Sequence, residues 1–186
     1  NFRLLWTPNS KQSIWASATR SIRLPSRFER DGNQLIRNGA EFIRLISNPH
    51  LLAETLWGFE TGYRRQLTKD LSVDIAGFFN DYSHSSSESE VMPATIQVSD
   101  KRHVHIFGFE IYGQWNALDR LRFMPSYSHL QERSHIPLAH EAESKEVPKH
   151  QFTLRTQVDL VKNIEFDAFF RHINKLPGLG IASYQT

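Results

Sequence analysis

Nine histidines in a chain without cysteine raise the question of a metal site. His103-Val104-His105 sets two imidazoles on one side of a strand. A zinc site takes three or four ligands, and no His-Glu-x-x-His motif or His/Asp cluster supplies the rest, so no metal ligand is assigned. Ser85, Ser86, Ser87 and Ser89 lie among Glu88 and Glu90 with no Gly-x-Ser-x-Gly elbow, which is the composition of a solvated loop. Gly178-Leu179-Gly180 lacks the third glycine of a phosphate-binding turn. Glu60, Asp74, Glu110 and Asp167 recur on one face at strand spacing, which suits a hydrated surface with cross-strand ion pairs better than a general acid/base pair. These residues therefore assign no catalytic residue and no cofactor.

The densest chemistry is basic. Arg20, Arg23, Arg27, Arg30, Arg37 and Arg44 crowd one polar stretch broken by Pro25 and Gly32. A guanidinium fork pairs bidentately with carboxylate, phosphate and other delocalised anions. Arg23, Arg27, Arg30 and Arg37 are the candidate ligand-binding residues. The alternatives are a loop facing acidic lipopolysaccharide, or ordinary solvated charge.

The rest of the 186 residues must position that stretch. Lys and Arg total 22 against 20 Asp and Glu, so the net charge of +2 is too even to imply a nucleic-acid partner. Hydrophobic residues make up 39%, below the ~45–50% of ordinary domains, while aromatics reach 12%. The absence of cysteine excludes a disulfide scaffold, a thiolate metal site and a thiol nucleophile. No segment approaches the ~18 apolar residues of a membrane helix, and a mean hydropathy of −0.47 reads as soluble on that criterion. A transmembrane β-barrel escapes the criterion, because its strands alternate apolar and polar and average to a hydrophilic composition. Asn1-Phe2-Arg3 begins the chain without a basic region or apolar core of a signal peptide.

Alternation with period 2 is the strongest pattern. Trp57, Phe59, Thr61 and Tyr63 share one face against Gly58, Glu60, Gly62 and Arg64. Leu71, Val73, Ile75, Gly77 and Phe79 follow, then Phe107, Phe109, Ile111, Gly113 and Trp115, then Leu121, Phe123, Pro125 and Tyr127. Phe152, Leu154, Thr156, Val158 and Leu160 continue the series, as do Ile164, Phe166, Ala168 and Phe170. None of these apolar-face residues is charged. Short turns are expected at 7–10, 68–70, 118–120 and 161–163, and long polar loops at 21–54, 83–102, 134–149 and from 175 onward. Loops beyond ~12–15 residues are uncommon in compact domains, and their recurrence at every second connection matches a barrel with short periplasmic turns and long extracellular loops. A soluble β-sandwich binding module and a small outer-membrane β-barrel enzyme remain open at this point.

The residues also resemble a family. Ser13-Ile14-Trp15-Ala16-Ser17-Ala18-Thr19-Arg20-Ser21-Ile22-Arg23-Leu24-Pro25-Ser26-Arg27 is similar to a strand and loop of TonB-dependent outer-membrane receptors. So are Asn48-Pro49-His50-Leu51-Leu52-Ala53-Glu54, Phe59-Glu60-Thr61-Gly62-Tyr63-Arg64 and Gly108-Phe109-Glu110-Ile111. Leu71-Ser72-Val73-Asp74-Ile75-Ala76-Gly77-Phe78-Phe79-Asn80-Asp81-Tyr82 matches as well. The resemblance implies a barrel of about 22 strands, filled by a plug domain, that takes up a scarce metal chelate such as a ferric siderophore, haem or cobalamin with energy from TonB. Against that frame, residues 1–186 are expected to be a partial barrel domain: all-β, antiparallel, up-and-down and transmembrane, with about eight to ten strands. Neither a plug domain nor a TonB box is found among them. Expected partners are outer-membrane lipid and lipopolysaccharide, the chelate, and TonB through a plug outside these residues. Trp15, Trp57, Tyr82 and Trp115 are candidates for the interfacial aromatic girdles.

Overall fold

The computed structural model describes residues 1–39, 41–136, 142–143 and 146–186. Their order is β1 (Phe2–Asn9), β2 (Gln12–Arg23), α1 (Arg27–Asp31), β3 (Asn33–Asn38), β4 (Glu41–Ile46), β5 (Glu54–Gln66) and β6 (Leu71–Met92). Then come β7 (Thr95–Leu118), β8 (Leu121–His135), β9 (Ala142–Glu143), β10 (His150–Val161), β11 (Ile164–Ile173) and β12 (Tyr184–Gln185). One sheet runs β1-β2-β5-β6-β7-β8-β10-β11-β12, with β3, β4 and β9 off that path. Its neighbours are antiparallel, so the sheet is an open part of an up-and-down barrel wall.

Register explains why the alternation matters. Directly opposed residues in an antiparallel pair share a face, so one aligned register carries a face across every strand. Tyr63 lies opposite Ile75, Ile75 opposite Ile111, Ile111 opposite Tyr127, and Tyr127 opposite Phe152. The other face carries Arg64 opposite Asp74, Asp74 opposite Tyr112, Tyr112 opposite Ser126, and Ser126 opposite Thr153. A slip of one residue anywhere would exchange the faces beyond it.

The apolar face has no second layer over it. Phe59 is 46% exposed, Ile75 44% and Phe166 55%. The chain exposes 13183 Å², whereas a compact protein of 21.6 kDa exposes about 9,200 Å². A soluble sandwich would bury these rings between two sheets. Among the described residues the buried hydrophobics are only Leu45, Val98, Val104 and Ile173.

Three of the short turns fall where the sequence places them, at 68–70, 118–120 and 161–163, whereas the first lies at Ser10-Lys11, because Thr7, Pro8 and Asn9 still belong to β1. Asn163 adopts a φ of 68°, which asparagine tolerates in a tight turn. The long connections differ from the expectation of open loops. Residues 83–102 continue β6 and β7 past the wall as a paired ribbon that turns at Pro93-Ala94. Irregularities at Tyr82/Ser85 and Ser85/Ser87, with His84 at φ 60°, erase the alternation that would have marked the ribbon as strand. Residues 21–54 contain α1 and the β3–β4 hairpin. Within 134–149, residues 137–141 and 144–145 lie outside the described residues.

Candidate functional site

At the end of the sheet opposite the short turns, the chain builds an apical assembly. Arg44, Leu45 and Ile46 of β4 pair in parallel with Thr95, Ile96 and Gln97 of β7. Leu45 and Val98 are buried beneath this joint. Further ties run from the Ser47 amide to the Gly32 carbonyl at 2.9 Å, and from the Leu52 amide to the Asp100 carboxylate at 2.8 Å. The stretch that carries the arginines is thereby docked on the β6–β7 ribbon.

Helix α1 starts with a capping box. The Ser26 hydroxyl accepts from the Glu29 amide at 3.2 Å, and the Glu29 carboxylate accepts from the Ser26 amide at 2.7 Å. These bonds satisfy donors that a helix start leaves without partners. The Ser26 amide is the main reason the Glu29 carboxyl titrates at about 2, below its usual 4.5; burial opposes the shift, and the Ser26 and Ser86 hydroxyls and Arg23 reinforce it. Arg23 bridges Glu54 at 2.7 Å and Glu29 at 3.2 Å. Its hydrogen bond to Glu54 raises its pKa further.

These contacts separate the four candidate arginines. Arg23 is committed to two carboxylates and pins α1 to the wall. Arg37 lies at the tip of the β3–β4 hairpin and donates to the Gly39 carbonyl at 3.1 Å. Arg27 and Arg30 are exposed on α1, with no side-chain partner among the described residues. Arg44 donates to Asn33, and Arg20 lies over the Trp57 ring at 5.7 Å. The sequence grouped residues that the fold assigns to structural ties, to the exposed tip, and to the wall.

Below the apical assembly, the polar face forms a cleft of about 250 Å³ lined by Arg23, Glu54, Tyr82, Ser85, Arg102 and Glu132, among others. Arg102 pairs with Glu132 at 3.2 Å, and Ser85 donates to Glu54 at 3.0 Å. Arg102, Glu132 and Glu54 were not singled out by sequence, because they lie on three different strands, β7, β8 and β5, that only the register between strands brings together. Lower down, the polar face carries ion pairs between Arg64 and Asp74 at 2.7 Å and between Arg155 and Asp167. Among the described residues no group of three or more His, Asp or Glu converges as a metal cage.

The apolar face has margins. Arg20, Trp57, Asp81, His105 and Arg133 are register partners in one row across β2, β5, β6, β7 and β8. On β7, Phe107, Phe109, Ile111 and Gly113 separate this row from Trp115 near the short turns, with no charge between. Ten residues rise about 33 Å along a strand, or about 24 Å at a barrel tilt near 45°, which matches the ~25 Å apolar band of a transmembrane barrel. Trp57 and Trp115 stand on this face at opposite margins, as the girdle assignment requires. Trp15 and Tyr82 do not. Trp15 pairs with Gly62 on the polar face, and its indole occupies the space a Cβ at Gly62 would need, only 2.3 Å away. Tyr82 pairs with Leu56 and Val104 and lines the polar cleft.

A protein-family model described as TonB dependent receptor-like, beta-barrel matches residues 1–182. No curated protein matches the sequence. Among solved structures, the ferric enterobactin receptor of Pseudomonas aeruginosa, PfeA, superposes with a TM-score of 0.72 at 14% identity over 92% of this chain and 27% of that one. The siderophore receptor PirA of Acinetobacter baumannii gives 0.72 at 13% identity over 99% and 33%, and the copper transporter OprC 0.70 at 11% over 92% and 25%. These neighbours are receptors and transporters, not enzymes, and the chain spans a quarter to a third of their lengths.

Proposed function

Because this chain belongs to the TonB-dependent receptor-like β-barrel family, we propose that it forms part of an outer-membrane receptor wall through which a scarce metal chelate is taken up. The observation that carries the reading is the uncharged apolar band of about bilayer height on one face, backed by a polar face rich in ion pairs. In this reading residues 1–186 are a portion of the barrel domain, the apolar face meets lipid, and the polar face lines a lumen that a plug fills. The site is the outer membrane of a Gram-negative bacterium. TonB supplies energy through the plug.

The chelate is of the ferric siderophore, haem or cobalamin class, and the apical assembly meets it first. Arg27, Arg30 and Arg37 present guanidinium groups to an anionic chelate, while Arg23 holds α1 in place for them. Lipopolysaccharide is the neighbour of Arg20 and Arg133 at the outer margin, where an arginine on a lipid-facing strand costs about 0–1 kcal/mol rather than ~2–4 at the midplane.

The test is uptake of radioactive iron, presented as an anionic catecholate chelate, by cells carrying the receptor. Arg27→Ala/Arg30→Ala/Arg37→Ala should lower binding at the cell surface while leaving the amount of folded barrel unchanged. Membrane fractionation checks location separately: recovery in the soluble fraction without detergent would refute the wall assignment whatever the chelate.

A further inference from the structure

The β7–β8 seam carries a local weakness that the wall alone does not explain. Pairing runs through Tyr112 with Ser126 and resumes at Trp115 with Phe123 in the same register, and Gly113 and Pro125 fall in the gap. A proline gives a sheet no amide donor, and a glycine inside a strand often marks the close approach of something else. On the apolar face these two residues leave a notch of about 340 Å³, whose other walls include Leu71, Trp115, Phe123 and Leu154. The Trp115 and Phe123 rings, 5.8 Å apart, stand on its side nearest the short turns. Gly113 is needed for this shape, because a Cβ there would come within 3.3 Å of Pro125 Cγ.

Cations gather at the margin nearest the notch. Arg65 is the register partner of Val73, and Val73 of Gly113, so Arg65 stands on the face of the notch about 10 Å along the row. It is exposed, one residue from the end of β5, with no side-chain partner among the described residues. Lys69 precedes Leu71 by two residues, and its side chain is 91% exposed with Asp70 3.9 Å from Nζ. Lys11 joins the same corner, where its carbonyl accepts from the Gln66 amide at 2.7 Å. Three cations stand there against Asp70, a balance that attracts a phosphate.

We propose that this corner binds one phospholipid of the periplasmic leaflet, with an acyl chain laid in the Gly113–Pro125 notch and its phosphate held by Arg65 and Lys69. The inference rests on the reading that this face meets lipid. In a bilayer a hydrocarbon chain gains nothing by leaving other chains, so apolarity alone selects no lipid. Shape and charge make the selection. An empty notch forfeits dispersion contacts along its lining, and a chain laid in it restores them. Its volume is at the small end of ligand cavities, ~300–1,000 Å³, which suits part of one chain. The guanidinium at the margin adds charge-assisted hydrogen bonds to the phosphate, which fix where the chain begins.

The experiment is native mass spectrometry of the purified receptor, released from detergent after incubation with phosphatidylglycerol. The expected result is one tightly retained lipid per barrel. Arg65→Gln/Lys69→Gln should weaken retention by about tenfold or more, the effect of losing one hydrogen bond to a charged group. Gly113→Leu, which fills the notch, should weaken it to a similar degree. Diacylglycerol, with the same chains and no phosphate, should be held by the native receptor as weakly as phosphatidylglycerol is by the double variant. Gly77→Leu on the same face and Arg20→Gln at the outer margin should change nothing. Full retention by either test variant, or equal loss in Gly77→Leu, would overturn the proposal. If Gly113→Leu does not migrate as a folded barrel, the double variant, which leaves the notch packing untouched, decides alone. A nitroxide label at position 109 that still meets oxygen in a receptor holding no phospholipid would separate failure of this site from failure of the lipid-facing reading.

Discussion

In the wall, Tyr63, Ile75, Ile111, Tyr127 and Phe152 stand in one row across five strands, and no second layer covers them. In the apical assembly, Leu45 and Val98 are buried where a parallel strand pair, a short capped helix and a ribbon meet. The first region is held by ladder hydrogen bonds and by a nonaqueous solvent on one side. The second makes its own small core and a net of charged bonds around Glu29, Arg23 and Glu54. Substitutions should therefore act by different rules in the two regions. Charge on the apolar face is the gravest change in the wall, and loss of specific polar contacts is the gravest in the apical assembly.

The largest expected effect is in the wall. Ile75→Arg or Phe109→Arg places a charge in the uncharged band at ~2–4 kcal/mol near the midplane, so the folded, heat-modifiable barrel should nearly vanish from the outer membrane. Next comes Gly62→Val on the polar face. Its branched side chain enters space held by the Trp15 indole, and overpacking of this kind costs about 1–3 kcal/mol, readable as a lower unfolding midpoint in denaturant and a changed tryptophan emission. Ser26→Ala, in the apical assembly, removes the helix cap at a cost of about 1 kcal/mol. Amide exchange should rise across α1 and the β3–β4 hairpin and stay unchanged in β10 and β11. The smallest effect belongs to Asp74→Asn on the polar face, where an exposed pair with Arg64 contributes ~0–1 kcal/mol, so assembly should be close to normal. Equal damage from Ile75→Arg and Asp74→Asn would erase the distinction between the faces.

Acid separates the regions in another way. The Glu29 carboxyl has a folded pKa of about 2 against an ordinary 4.5. A lowered pKa means that its stabilisation is complete above about pH 4.5 and is lost as pH falls towards 2. Amide exchange corrected for intrinsic rates should show α1 loosening over that interval while the apolar rows of the wall hold. Loosening of α1 already between pH 7 and 5 would show that Glu29 is not the group that holds it.

The wall was legible in the sequence because a strand has an exact two-residue repeat and a bilayer keeps charge off the side it meets. Six alternating runs and four short turns sufficed to set the faces. The apical assembly was not legible, for reasons visible in single residues. His84 sits at a φ of 60° inside a β irregularity, so the period breaks where β6 continues. β4 joins β7 in parallel across about fifty residues of sequence, a pairing no local pattern encodes. Trp15 shows a subtler failure. Its type suggested a membrane margin, but the glycine opposite provides room on the polar face, and that pairing depends on register between strands. The arginine cluster was visible as composition, while its division into Arg23 as a tie and Arg27 and Arg30 as exposed groups needed the positions of Glu29 and Glu54.

The central claim is that one face of this sheet meets lipid and the other water. Residues 1–186 hold no cysteine, so single cysteines placed at 74, 75, 76, 109, 110 and 111 in the assembled receptor, with any cysteine outside these residues replaced by serine, give unambiguous sites for a nitroxide label. Collision rates with oxygen, which concentrates in lipid, and with a water-soluble nickel chelate report each label's surroundings. The account predicts strict alternation, with oxygen favoured at positions 75, 109 and 111 and the nickel chelate, or protection from both reagents, at 74, 76 and 110. Uniform exposure to the nickel chelate at all six positions would contradict it.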